Sequence, residues 1–390
     1  MLFDQDIERT RSDGKRHDEG DFDYLNVSGR PEAAAVRELL ESWLAEYPSV
    51  HRTELILRLR HSDQQFASAS FELFLYTVLA SLGWTIEVHP DIPGGNGKRP
   101  DFRVQTDSGD AFYLEATIAG AFSAAELAAE QRKKEVLHAI DDLHSPHFLL
   151  DVQVEGNPPT PVPRRKLRRQ LRKWLESLAP PEVEKQIQGE RHWEEHQYEH
   201  DGWIIRFRAI PRSKPAEAGR RTIGAWSPGV RTVNIVGAVK DAAKGKASRY
   251  GALDLPFVVA INVEEEFADS FQERDALFGD VQYWMPRDPA QGEVRPVRIP
   301  NGVWNGPRGP QCTRLSGVWL FRRFDPWHLV ARESHLLYLN PWATRPLSAS
   351  ALRFPYAAVE GTRLVEHPGL RVREVLDLYE EWPEPTPHAA

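Results

Sequence analysis

Three acidic residues occupy positions where a folded core does not tolerate unpaired charge. Glu72 is the only charge in the middle of the apolar run 66–82. Left alone there, a carboxylate costs several kcal/mol or takes up a proton, so it requires a partner. Asp101 follows Pro100 at the start of a short β-type run. Glu115 lies in the next such run, across the turn Asp107-Ser108-Gly109-Asp110. Strand alternation puts Glu115 and Thr117 on one face with Tyr113, and Phe112, Leu114 and Ala116 on the other. A hairpin therefore gathers Asp101 and Glu115, with Glu72 approaching from the packed helix. Two or three hard oxygen donors at one point suit Mg²⁺ or Mn²⁺. Such an ion lowers the pKa of a bound water and stabilises charge on a phosphate undergoing displacement.

A second group is cationic. Arg164, Arg165, Lys166, Arg168, Arg169, Arg172 and Lys173 crowd one expected helix, 164–178. Arg165, Arg168, Arg169 and Arg172 fall at i, i+3, i+4 and i+7, a spacing at which like charges repel and a counter-anion is needed. A nucleic-acid backbone supplies one, which makes Arg164, Arg165, Arg168, Arg169 and Arg172 candidate phosphate contacts. The competing reading is pairing with the acidic run 190–199, or plain solvation.

Other motifs carry less. His192-Trp193-Glu194-Glu195-His196 fits H-x-x-E-H, in which two histidines one helical turn apart could ligate zinc with Glu195 as base. It lacks an apolar stripe, so an exposed polar helix is the simpler reading. Cys312 sits in a Gly/Pro-rich loop without a neighbouring His/Asp arrangement. The turn Gly94–Gly97 lacks the Lys-Ser/Thr of a phosphate loop. Trp304, Trp319, Trp327 and Trp342 suit either base stacking or a core.

The elements that position these residues follow from periodicity. Pro31 opens a helix over 31–47. The run 66–82 is apolar nearly all round, marking a buried helix that Gly83 ends. Strands follow at 84–88, 100–104 and 111–118, then a helix over 123–143 with a Ser123/Glu126 capping box, and a strand at 148–154. Beyond the linker GNPPTPVP lie the basic helix, a charged helical stretch and a strand at 203–210. A helix spans 233–250, and 255–263 reads as a fully buried strand, being apolar without alternation. Residues 270–390 carry a short helix ending at Gly279 and strands near 318–324 and 335–339.

Arg99-Pro100-Asp101 followed by Glu115-Ala116-Thr117, within an α-β-β-β-α-β order over residues 60–155, resembles the PD-(D/E)XK nuclease superfamily of restriction-endonuclease-like folds. The resemblance implies metal-dependent hydrolysis of phosphodiester bonds in DNA, in restriction, phage defence or repair. It further implies that Asp101 and Glu115 hold Mg²⁺ or Mn²⁺ and that Glu72 completes the site. The family's lysine two residues after the second acid is Thr117 here, whose hydroxyl can hydrogen-bond a water but cannot replace the charge. Lys133 is the first candidate substitute, with Lys134, Lys244 and Lys246 as others. The alternative is a non-cleaving nucleic-acid-binding or assembly module of the same fold.

The expected architecture is α/β, with a restriction-endonuclease-like central mixed sheet, a basic helical insertion and a β-rich C-terminal extension. Residues 1–30 read as a mobile arm, 31–270 as the nuclease-like domain with an insertion at about 156–230, and 271–390 as the extension. Across 390 residues, 49 Lys+Arg against 57 Asp+Glu leave a formal charge of −8, which argues against a general nucleic-acid coat protein but says nothing of local patches. One cysteine excludes a disulfide framework and thiolate zinc modules. Without an apolar N-terminal segment or a run of ~18 apolar residues, a cytoplasmic protein with no membrane contact is expected. Double-stranded DNA, partner proteins or a second copy are the expected partners.

Overall fold

The structure is a computed structural model. It describes residues 1–120, 124–188, 195–217, 221–227, 234–264, 269–284, 295–330, 334–348 and 352–383. The chain divides into two compact units: Met1–Gly14, Gly20–Ala121 and Asn234–Ala390 form the first, Lys15–Glu19 and Phe122–Val233 the second.

The first unit is mixed α/β. Its helices are α1 (Asp21–Val27), α2 (Pro31–Glu46), α3 (Ser49–His61) and α4 (Asp63–Ser81), and later α8 (Ile235–Ala247), α9 (Ser270–Phe278) and α10 (Val372–Val375). Its main sheet contains β1 (Thr85–Val88), β2 (Phe102–Gln105), β3 (Ala111–Ala119), β8 (Phe257–Val263), β13 (Gly317–Arg322), β14 (His335–Leu339), β15 (Tyr356–Glu360) and β16 (Arg363–His367), in that spatial order. Two small ribbons, β9 (Val281–Trp284) with β10 (Arg295–Arg298) and β11 (Asn305–Gly306) with β12 (Gly309–Pro310), complete it.

The second unit holds α5 (Ala124–Asp141), α6 (Arg164–Glu176) and α7 (Pro180–Gln188). Its sheet is formed by β4 (Phe148–Glu155), β5 (Glu195–His200), β6 (Trp203–Pro211) and β7 (Ile223–Ser227), ordered β5-β6-β4-β7. Its own core joins Leu150, Val152 and Phe207 to Leu167, Leu171 and Leu175 of α6.

Local signals explain most elements. Ser62 caps α4 by accepting from the Gln65 N–H, and Gly83 follows at φ 77, a conformation free of Cβ strain only for glycine. The apolar circumference of α4 is met by neighbours on several sides, with Phe71, Leu73, Phe74, Leu75 and Val78 all buried.

The expected α-β-β-β-α-β order places 123–143 and 148–154 after the third strand, but those segments belong to the second unit. β3 instead takes β8 as its parallel neighbour, with Glu115 opposite Val259 and Thr117 opposite Ile261. The burial patterns give the reason. β4 alternates buried and half-buried residues, as a strand with one covered face does, whereas all seven residues of β8 are buried. The inserted segment is therefore 122–233 rather than about 156–230.

Two further expectations are corrected. Residues 1–30 are no free arm: the Leu2 and Phe3 N–H groups donate to Glu41 at 2.8 and 2.9 Å, and Phe3 stacks on Phe22. Two isolated apolar residues create no periodicity, so pattern reading passes over them. Residues 271–390 are not a separate extension, since β13 to β16 continue the main sheet. Trp304 and Trp319 are buried there. Beneath that region Glu273, 1% exposed, takes a two-point ion pair from Arg322 at 2.6 and 2.9 Å and a hydroxyl from Tyr338 at 2.8 Å. Among the described residues no helix is long and apolar enough to cross a membrane.

His335 on β14 links this packing to pH. Burial pushes its pKa down to about 4, and its Nδ1 accepts the Trp319 indole N–H at 3.2 Å, an acceptor that protonation would remove. The unfolded chain binds this proton near pH 6.5 and the folded chain only near 4. Stability is therefore full above pH 6.5 and falls as pH drops through that window, by on the order of 2–3 kcal/mol. Urea unfolding at pH 7.0 and 4.5 measures this. The His335→Gln variant should lose less stability than the wild type over the same interval, and an equal loss would refute the assignment.

Candidate functional site

Asp101 and Glu115 meet at the end of the β2–β3 pair. The Asp101 N–H donates to Glu115 Oε2 at 3.3 Å, and the Ala116 N–H donates to Asp101 Oδ2 at 2.7 Å. Each acid is thus held by the other strand's backbone. The antiparallel register, Phe102 opposite Leu114, places residue 101 beside Glu115 as the hairpin arithmetic requires.

Glu115 is 2% exposed, and α8 supplies its cation. That helix buries Ile235, Val239, Ala243 and Ala247 at four-residue spacing, leaving Lys246 at the flank of the stripe. Lys246 Nζ lies 2.5 Å from Glu115 Oε1, Arg249 Nη1 is 3.5 Å from the same oxygen, and the Tyr250 hydroxyl donates to Oε2. Burial and the adjacent Glu115 charge raise the Tyr250 pKa, keeping it a donor. Lys244 points to solvent.

Glu72 is satisfied separately. Its Oε1 accepts from Tyr47 at 3.0 Å and its Oε2 from Arg58 at 2.6 Å, which answers the need for a partner. Burial and Glu72 raise the Tyr47 pKa likewise.

Asp101 differs from both. Among the described residues no cation pairs with it. Burial, then the charges of Glu115 and Glu72, hold its carboxyl well above the usual carboxylate range, against the opposing pull of the Ala116 N–H and Lys246. Three carboxylates stand with three cations, Arg58 on Glu72 and Lys246 and Arg249 on Glu115, so Asp101 is the acid of the cluster that pairs with none of them.

The remaining expected residues fall as follows. Thr117 is half-buried on β3, on the Glu115 face. Lys133 lies on α5 of the second unit, its ammonium 2.7 Å from Glu130; the lysine at Glu115 is Lys246. Arg164 leans toward Glu135 at 3.6 Å and Arg168 donates to the Asp142 carbonyl at 3.2 Å, whereas Arg165, Arg169 and Arg172 are exposed. Glu195 and His196 stand on a strand, with Glu195 engaged by Arg208 and His196 stacked on Trp174. The expected zinc-binding or polar helix is therefore not formed there. His192 lies outside the described residues, as does Ser123 of the capping box. Cys312 is half-exposed, and burial pushes its thiol up, which makes a poor nucleophile.

Pattern reading missed Tyr47 and Arg58, which serve Glu72, Arg249 and Tyr250, which serve Glu115, and the helix α3. It also missed His89, whose N–H donates to the Asp101 carbonyl at 2.9 Å from a left-handed φ of 50 and whose ring meets that of His51 edge-on. A non-glycine residue held at positive φ beside the acids was the one local irregularity available, and sequence does not reveal it.

Among the described residues no group of three His, Cys, Asp or Glu side chains stands arranged to hold a metal ion. The adjacent pair Asp101 and Glu115 does suit a hard divalent cation. Mg²⁺ commonly takes one or two carboxylates and fills its remaining positions with water and phosphate oxygen, and Asp101 is an acid short of a counter-charge. No protein-family profile, no curated protein and no solved structure matches this chain.

Proposed function

We propose that the first unit is a divalent-metal-dependent phosphodiesterase of restriction-endonuclease-like type, acting on DNA. The observation that carries this reading is the adjacency of Asp101 and Glu115 with Lys246 on Glu115. It is the two-acid, one-lysine set of the PD-(D/E)XK resemblance, with the lysine supplied by the helix α8 in place of Thr117. The strand sequence β1-β2-β3 followed in space by the parallel β8, with α4 before and α8 between, supports the same fold.

Asp101 and Glu115 would hold Mg²⁺ or Mn²⁺. When bound, the ion supplies charge neutralisation at a phosphoryl group undergoing displacement. Lys246 orients an attacking water or a phosphoryl oxygen by its N–H donors and places positive charge where negative charge develops. Thr117 offers a hydroxyl to the same water. Tyr250 fixes the Glu115 carboxylate so that one oxygen faces Lys246.

One observation favours a second reading, a non-cleaving nucleic-acid-binding or assembly module. Both Glu115 oxygens already have donors, so a metal must compete with Lys246. The test is Lys246→Met, assayed on plasmid DNA in Mn²⁺. Cleavage should fall by at least ~100-fold, as on removal of a transition-state donor, while the Mn²⁺-induced rise in melting temperature persists. If the wild-type protein neither cleaves DNA nor gains stability from Mn²⁺, the non-cleaving reading replaces this one.

A further inference from the structure

The second unit carries a feature that the carboxylate chemistry does not use. On α6, Leu167, Leu171 and Leu175 are buried in that unit's core, and the opposite face bears Arg165, Lys166, Arg169, Arg172 and Lys173, all exposed. At 100° per residue these five fall within about 120° of arc centred opposite the leucines. They form no ion pair or hydrogen bond through their side chains among the described residues. Two other arginines of the unit do have acids: Arg206 and Arg208 on β6 are matched by Glu155 and Glu195, at 2.6 and 3.1 Å. Among the described residues, counter-charge is present on the sheet and absent from this face of α6.

We infer that α6 is a docking surface for the sugar-phosphate backbone of double-stranded DNA. Five cations across the eight steps from Arg165 to Lys173 occupy about 12 Å of helix. A duplex presents one phosphate per about 1.7 Å of its axis, about seven over that length, so the two charge densities are comparable. A single strand is bound instead by aromatic platforms, and the cationic arc contains none. Trp174, the aromatic of α6, is half-buried and stacked on His196. The contacts are to backbone, so binding is sequence-blind. Arg164, in line with the leucines at the start of the helix, and Arg168, beside them, fall outside the arc, tied to Glu135 and to the Asp142 carbonyl, and contribute less than the sequence pattern suggested. The inference does not depend on the metal site.

The experiment is DNA binding by the full chain without added divalent metal, by fluorescence anisotropy on a 20-base-pair duplex from 50 to 200 mM NaCl. Five phosphate contacts give a log–log salt slope of about −4 to −5. The triple variant Arg165→Gln, Arg169→Gln, Arg172→Gln should reduce the slope to about −2 and weaken binding at least tenfold at 50 mM. Removing three charges elsewhere, Lys185→Gln, Lys214→Gln and Arg363→Gln, should leave the slope within one unit of wild type. Because the binding assay contains no divalent metal, failure of the metal site and failure of α6 are read separately. Equal slopes for the two triple variants, or tighter binding to single-stranded DNA or to duplex RNA, would overturn the inference.

Discussion

If the first unit is the metal-dependent phosphodiesterase proposed above, Asp101→Asn combined with Glu115→Gln is expected to abolish cleavage, by three orders of magnitude or more, equivalent to about 4 kcal/mol of transition-state stabilisation. The same pair should erase the stabilisation that Mn²⁺ is expected to give the wild-type protein on that reading. At a hundredfold excess over its dissociation constant that gain is about 2.7 kcal/mol, or roughly 5–10 °C for a unit of this size. The single variant Asp101→Asn has a further signature. Its carboxyl is pushed well above the ordinary range by burial and then by Glu115 and Glu72, so in the metal-free fold the ionised form is disfavoured. A raised folded pKa makes stability fall as pH climbs from the unfolded value through the folded one. Asparagine carries no such penalty and keeps an oxygen for the Ala116 N–H. The metal-free variant should therefore melt above metal-free wild type at neutral pH while gaining nothing from Mn²⁺. Scanning calorimetry with and without the ion measures both, and a variant less stable than wild type would contradict the penalty that burial and the two neighbouring acids place on ionised Asp101.

The second large effect concerns Glu72. Arg58→Ala leaves a carboxylate that is 3% exposed with only the Tyr47 hydroxyl as donor. Breaking a buried pair from one side costs about 3–5 kcal/mol, because the remaining charge has lost its compensation. The expected fall in melting temperature is roughly 6–15 °C. Glu72→Gln retains the size and one acceptor, so it should cost only about 1–2 kcal/mol. Glu72 bonds Tyr47 and Arg58, whereas Asp101 and Glu115 are joined through the hairpin backbone, so Glu72→Gln should also keep the Mn²⁺ gain. Loss of that gain would make Glu72 a metal ligand, as the family resemblance implies.

The parts of this protein that pattern reading reached are those governed by short-range rules. The pair Asp101 and Glu115 follows from hairpin register, which is local arithmetic over one turn. α4 follows from its all-round apolar sequence, and β8 from its unbroken one. What escaped depended on separation along the chain. Lys246 stands 131 residues from Glu115, and several lysines fitted the requirement equally well until packing chose one. Tyr47 and Arg58 come to Glu72 through the packing of α2, α3 and α4, where neither spacing nor composition distinguishes them from ordinary surface residues. The choice of β8 over β4 as the neighbour of β3 turned on the difference between alternating and continuous hydrophobicity. That signal was present, but the adjacency of β4 in sequence outweighed it.

The insertion of an entire unit between β3 and α8 sets an order of events during synthesis. By the time Ala119 has left the ribosome, the strand carrying Glu115 exists with only β2 to pair with, and its other edge is bare. More than a hundred residues must follow before Val263 completes the strand that covers it. Pairings of such long sequence separation form late, and unpaired edges recruit wrong partners while they wait. The second unit, whose sheet is built from segments close together in the chain, can fold in that interval. Assembly of Glu115 with Lys246 then waits until the second unit has been made, and a chain stalled before α8 cannot carry an assembled carboxylate–lysine centre.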